Sequence, residues 1–170
     1  LRITSYGEVV IASQDQDRRH PAFNKMFIES EYVADVNALL FSRRPRSAKE
    51  ESLHMAHVLV TSPDTEASHR FESDRAGFIG RGRTTRAPAA LRPAEDASTE
   101  NDNQWLSGTT GATLDPIMAL GQEIEMEPHT TVRLAYLTLI GESREQVVEL
   151  ARRYRAWPRI DRALEQAHAQ

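Results

Sequence analysis

The chain has 170 residues, of which 39% are apolar, 27% charged and 6% aromatic; this is one polar globular domain and excludes collagen-like, coiled-coil and wholly disordered chains. It contains no cysteine, which removes a disulfide scaffold, a thiolate metal site and a cysteine nucleophile together. The formal charge of -4 gives no electrostatic reason to expect a nucleic-acid partner. No stretch reaches the roughly 20 apolar residues of a membrane span and no secretory signal opens the chain, so the segment is expected to be soluble without touching a membrane directly. It begins at Leu1 rather than Met, in what reads as the middle of a strand, and so is expected to be cut from a longer protein.

Period-two patterning dominates the chain order. Leu1 to Ala12 reads as a strand in which Val9 and Ile11 alternate with Val10. Phe27 to Tyr32 reads as a second, Ala38 to Phe41 as a third and Leu53 to Val60 as a fourth. Late in the chain Met118, Leu120, Ile124 and Met126 share one face while Glu123, Glu125 and Glu127 share the other. Glu127-Pro128-His129-Thr130 then turns the chain into Val132 to Leu139, and the pattern predicts one long antiparallel hairpin. The polar stretch from Pro93 to Gln104 cannot fill a core and is expected to be an exposed loop.

The final residues change period. Ser143 followed by Gln146 is a capping-box pattern, and Val147, Leu150, Ala151 and Tyr154 recur at helical spacing until Trp157-Pro158 interrupts them. Ile160, Leu164 and Ala167 predict a second helix. Strands followed by two helices, without βαβ alternation, predict a mainly β fold: an antiparallel β-sandwich over 1–141 and a helical linker over 142–170.

Few residues carry chemistry by their spacing. His54 and His57 have a helical ligand spacing, but on a strand they point to opposite faces, so no metal role is expected. Asp15-Gln16-Asp17 has the Asp-x-Asp form that holds a divalent cation in nucleotide-binding α/β domains; following an antiparallel strand, it is expected to be a solvated loop. Gly80-Arg81-Gly82-Arg83 is the densest unusual feature. Its glycines permit close backbone approach, and Arg81 and Arg83 can hydrogen-bond an anion or sugar hydroxyls. The plainer expectation is a turn between strands whose arginines pair with Asp74 and Glu72. Leu106 to Gly111 is glycine-bearing but lacks the lysine of a phosphate loop. Trp105 can stack on a sugar ring or cover the sandwich rim, and Trp157 is expected to anchor the corner between the two helices. No nucleophile motif is present, so no catalytic residue, metal or cofactor is expected.

Several segments together resemble a known family: Ile3-Thr-Ser-Tyr-Gly-Glu-Val-Val10, the run from His20-Pro-Ala-Phe to Ser30-Glu-Tyr32, Arg43-Arg-Pro-Arg-Ser47, Asp74-Arg-Ala-Gly-Phe-Ile-Gly-Arg-Gly-Arg83, Leu106-Ser-Gly-Thr-Thr-Gly111 through Ile117, and Glu142-Ser-Arg-Glu145. In this order they resemble the C-terminal region of cyclic β-1,2-glucan synthases, which is itself similar to cellobiose phosphorylase. The resemblance implies the latter part of a galactose-mutarotase-like super-sandwich and a helical linker leading to an α/α-barrel, with the catalytic acid beyond Gln170. It also implies a parent that builds β-1,2-glucan in a membrane-embedded glycosyltransferase region at the cytoplasmic face of the inner membrane, while its phosphorylase-like region adjusts chain length. The family's usual Pro-Gly turn is Pro128-His129 here.

Three readings follow. The first is a non-catalytic, carbohydrate-associated sandwich segment that supports the remainder of the parent chain and touches β-glucan through Arg81, Arg83 and Trp105. The second is a stand-alone carbohydrate-binding module. The third is a structural domain that makes a homodimer.

Overall fold

A computed structural model describes residues 1–45, 52–92 and 105–169. The expected loop from Pro93 to Gln104 lies outside these residues. The strands are β1 (Arg2–Thr4), β2 (Gly7–Glu8), β3 (Ile28–Val33), β4 (Ala38–Arg43), β5 (His54–Thr61), β6 (Arg70–Asp74), β7 (Gly111–Ala112), β8 (Pro116–Glu123) and β9 (Leu134–Gly141). The helices are α1 (Gln14–Arg19), α2 (Pro21–Lys25), α3 (Arg75–Ile79), α4 (Arg144–Tyr154) and α5 (Trp157–His168).

The strands form two antiparallel sheets, as the alternating pattern predicts. One has the order β7-β3-β4-β5-β9, and in the other β8 pairs with β1, β2 and β6. β1 and β2 are one interrupted strand. Arg2 lies opposite Glu123 and Gly7 opposite Met118, and between them Ser5 N donates to Leu120 O at 3.0 Å, so a single register runs through the break. The expected strand over Leu1 to Ala12 is therefore shorter and broken. Its burial alternation persists, because Val9 and Ile11 enter the core while Val10 is 44% exposed.

The predicted hairpin does not form. β8 and β9 are consecutive in sequence but lie in different sheets, β9 pairing along its whole length with β5. Period-two alternation marks both as strands without naming their partners, and the intervening 124–133 segment crosses between sheets. Its Glu127–Thr130 turn is real: Thr130 N donates to Glu127 O at 3.2 Å, and His129 adopts φ 67. Pro128 supplies the first central position and His129 takes the left-handed one where glycine is ordinarily favoured.

Three layers of apolar packing hold the molecule. Between the sheets, Val9, Ile11, Ile28, Leu39, Phe41, Met55, Leu59 and Leu120 form one buried cluster. The outer face of the five-stranded sheet offers Ala38, Leu40, Ala56, Val58 and Val60, which bury against Val147, Val148 and Ala151 of α4 and Ile160 of α5. Both faces of β5 are thus covered, which explains its nearly continuous apolar run. The outer face of the other sheet, through Ile117 and Ala119, packs under Phe78, Ile79, Ala90, Trp105 and Leu106.

The capping-box reading of α4 holds. Ser143 Oγ accepts from Gln146 N at 3.1 Å, and Gln146 Oε1 accepts from Glu142 N at 2.7 Å, one residue before the usual position. Trp157 fastens the start of α5 to the end of β5, its indole N–H donating to Thr61 O at 3.2 Å. Two loop expectations fail. Asp15 and Asp17 lie in α1, where Ser13 Oγ accepts from Gln16 N at the N-cap, acids occupy the first turn and Arg18 and Arg19 the last. The Gly80–Arg83 turn does not join strands but leads from α3 toward a 3-10 turn at Ala89–Leu91.

Candidate carbohydrate-contact surface

The three candidate residues lie in the layer outside the β1/β2, β6, β8 sheet. Its foundation is Glu72, 1% exposed on β6. Glu72 Oε1 accepts from Ser73 N at 2.9 Å and Asp74 N at 2.8 Å, while Oε2 accepts from Thr109 Oγ1 at 3.2 Å and from Ser107 Oγ. A buried carboxylate is tolerated when donors saturate it, and here the donors come from two chain segments that it ties together. Ser73 Oγ extends the network to Thr109 O at 2.9 Å and to Ser30 Oγ of the other sheet at 2.7 Å. Asp74 caps α3, accepting from Ala76 N and Gly77 N at 3.2 Å each. Both acids expected to pair with Arg81 and Arg83 instead accept from backbone and hydroxyl donors, and neither pairs with either arginine.

This anchoring sets Trp105 over β8. Gly121 is required there, since a Cβ at that position would lie 2.5 Å from Trp105 Cζ2. The indole N–H donates to Thr4 Oγ1 at 3.0 Å, and the Arg2 guanidinium carbon lies 5.2 Å from the ring centroid while Arg2 Nε pairs with Glu123 at 3.1 Å. Trp105 is 7% exposed and borders a depression of about 130 Å³ with Arg2, Thr4, Leu91 and Arg92.

Arg81 is exposed, and Arg83 is half-buried with Nη1 donating to Ala87 O at 3.3 Å. Gly80 and Gly82 have φ 79 and 71, and a Cβ on Gly80 would meet Ala89 Cβ at 2.6 Å, so the glycines serve a tight return of the chain. Trp105 is brought beside Arg2 and Arg92, whereas Arg81 and Arg83 do not line its depression. Sequence reasoning missed Arg2 and Arg92. Arg2 sits beyond a strand interruption, Arg92 adjoins an irregular stretch, and neither belongs to a motif.

Titratable groups are placed elsewhere as well. His57 is buried between the sheets, with Nε2 2.8 Å from Ser5 Oγ and its ring stacked on Tyr136 at 5.7 Å; burial pushes its pKa down to about 4. Burial likewise raises Tyr32 to about 12 and moves Tyr136 upward. Burial opposes the charge on Lys25, yet Asp115 Oδ1 at 2.5 Å and Glu8 Oε2 at 3.5 Å outweigh it and raise its pKa. His54 and His57 point to opposite faces of β5, and no group of three metal-ligating side chains occurs among the described residues.

Two packed antiparallel sheets with irregular outer layers and a closing helix pair define the class. The supersandwich-domain model of glycosyl hydrolase family 94 matches residues 1–157, and the chain belongs to that family. Among individual proteins, the cyclic β-(1,2)-glucan synthase NdvB of Rhizobium meliloti (strain 1021) is 34% identical over 155 residues, covering 91% of this chain. The chain spans about 5% of that relative's length. Among the described residues, no helix is long and apolar enough to cross a membrane.

Proposed function

We propose that this chain is a non-catalytic supersandwich segment of a cyclic β-1,2-glucan synthase, supporting the remainder of the parent chain and contacting β-glucan. In this reading α4 and α5 lead toward an α/α-barrel, and the parent works at the cytoplasmic face of the inner membrane. The observation that carries it is the similarity to the glucan synthase over 155 residues, so small a share of a large relative that the chain corresponds to a part of it. Glucan contact is assigned to the rim of the depression that Trp105 borders with Arg2 and Arg92, and separately to Arg81 and Arg83, because guanidinium donors suit sugar hydroxyls.

Calorimetric titration with linear and cyclic β-1,2-glucan tests this contact. Binding by the wild type that weakens at least fivefold in the Arg81→Ala, Arg83→Ala variant supports it; absence of heat in both refutes it. Glycosyl transfer or phosphorolysis by the purified chain refutes the non-catalytic assignment. A stand-alone carbohydrate-binding module would bind glucan in the same titration while its reading frame encoded no barrel, and a dimerisation domain would sediment as a dimer without binding glucan.

A further inference from the structure

The α4 and α5 helices cover only part of the outer face of the five-stranded sheet. Its apolar rows end at Leu40 and Ala56, and the next row across the strands is Glu29 opposite Ser42, Ser42 opposite His54 and His54 opposite Gly141. None of these four joins the apolar cluster beneath the helices. The start of α4 presses on Gly141, where a Cβ would lie 2.8 Å from Gln146 Oε1 and 2.9 Å from Val147 Cγ2, so the helix closes one end of the bare row. Arg144, the first residue of α4, reaches back over the sheet with a two-pronged pair to Glu31, Nε to Oε1 at 2.6 Å and Nη2 to Oε2 at 3.1 Å. Glu29, Glu31, Ser42, His54 and Arg144 thereby border a cleft of about 360 Å³. That volume falls within the range of about 300–1,000 Å³ typical of ligand clefts.

Among the described residues, Arg144 pairs with Glu31 and Arg44 pairs with Glu29, so these acids and arginines offset one another at the cleft. The cleft is bordered by the Arg144 guanidinium, the Glu29 and Glu31 carboxylates, the Ser42 hydroxyl and the His54 imidazole, whose Nε2 lies 3.1 Å from Ser52 Oγ, a mixed set of donors and acceptors. Such a set fits a neutral ligand whose own groups both donate and accept, which is the chemistry of a polyol.

We infer that the Glu29–Ser42–His54 row, walled by the Glu31–Arg144 pair, is a binding cleft for a neutral saccharide, separate from the Trp105 side of the sandwich. This rests on the glucan-contact reading above and adds a second place of contact on the opposite sheet. The cleft takes the edge of a sugar ring through its hydroxyls.

The test is a titration of the isotope-labelled 170-residue chain with a linear β-1,2-linked glucooligosaccharide, followed by amide resonances. The inference expects saturable shifts at Ser42, His54 and Arg144, weakened at least tenfold in Ser42→Phe, which fills the floor, and in His54→Ala. Dispersed spectra of both variants verify their fold, and resonances around Trp105 should respond as in the wild type. Shifts confined to the Trp105 and Arg81 side would overturn the cleft and leave the glucan-contact reading standing. An absence of shifts anywhere would overturn both, and cleft shifts with unchanged affinity in both variants would overturn the cleft assignment.

Discussion

His57 makes the stability of this chain depend on acid in a calculable way. Its imidazole is 5% exposed, and burial holds it at about 4 against an ordinary value of 6.5. The unfolded chain therefore takes up this proton more readily than the folded one. The contribution is fully present above pH 6.5, is lost as the pH falls toward 4, and stays lost below that. Linkage over this interval gives a loss of about 2 kcal/mol between pH 7 and pH 5, and about 3 kcal/mol when complete. For a chain of this size, about 2–4 °C per kcal/mol converts the first figure into a drop of roughly 4–8 °C in melting temperature. Carboxylates contribute their own acid dependence, so the assay compares wild type with His57→Gln by thermal and urea unfolding at both pH values. Glutamine can still reach Ser5 Oγ but cannot titrate. The expected result is a loss larger in the wild type by about 2 kcal/mol. Equal losses in the two proteins, or a His57 ring resonance titrating above about pH 6, would refute the reasoning.

Two further outcomes follow from named contacts. Glu72→Ala strands two backbone amides and two hydroxyls that now share one carboxylate, and should lower stability by about 3 kcal/mol or more, read as a shift of the urea midpoint. Gly121→Ala forces its methyl against Trp105 Cζ2 and Leu106 Cδ1 and should cost about 1–3 kcal/mol; a change in tryptophan emission should accompany it, and an unperturbed Trp105 environment would contradict the placement.

The strands and the closing helices were legible because burial acts through side-chain period, which a sequence carries openly. β3, β4 and β5 follow from Phe27 to Tyr32, Ala38 to Phe41 and Leu53 to Val60, and α4 from Ser143 and Gln146. Pairing was not legible. The alternation of Met118 to Met126 is identical whether β8 meets β9 or lies between β1 and β6; in the structure it lies between β1 and β6, with Leu120 buried between the sheets and Ile117 under the outer layer. α1 carried a readable signal, acids after Ser13 and arginines at its end, which the Asp-x-Asp pattern obscured. At the candidate surface, Trp105 was visible as a rare aromatic. Glu72 was not, since only the fold shows which of many acids is buried and what donates to it. The Glu29–Ser42–His54 row depends on strand register, which no local pattern states.

The interrupted first strand also has a consequence in time. Arg2 meets Glu123 across a sequence separation of 121, and β5 likewise waits for β9. At ribosomal rates of about 5–20 residues per second, on the order of 10 s separates the emergence of β1 from that of its partner. Throughout that interval the nascent chain carries open strand edges, a hazard that any neighbouring chain with a free edge can exploit. Completion of β8 is thus the step that closes the early half of the molecule, and folding is expected to be slow for the chain's length because its decisive contacts are its longest ones.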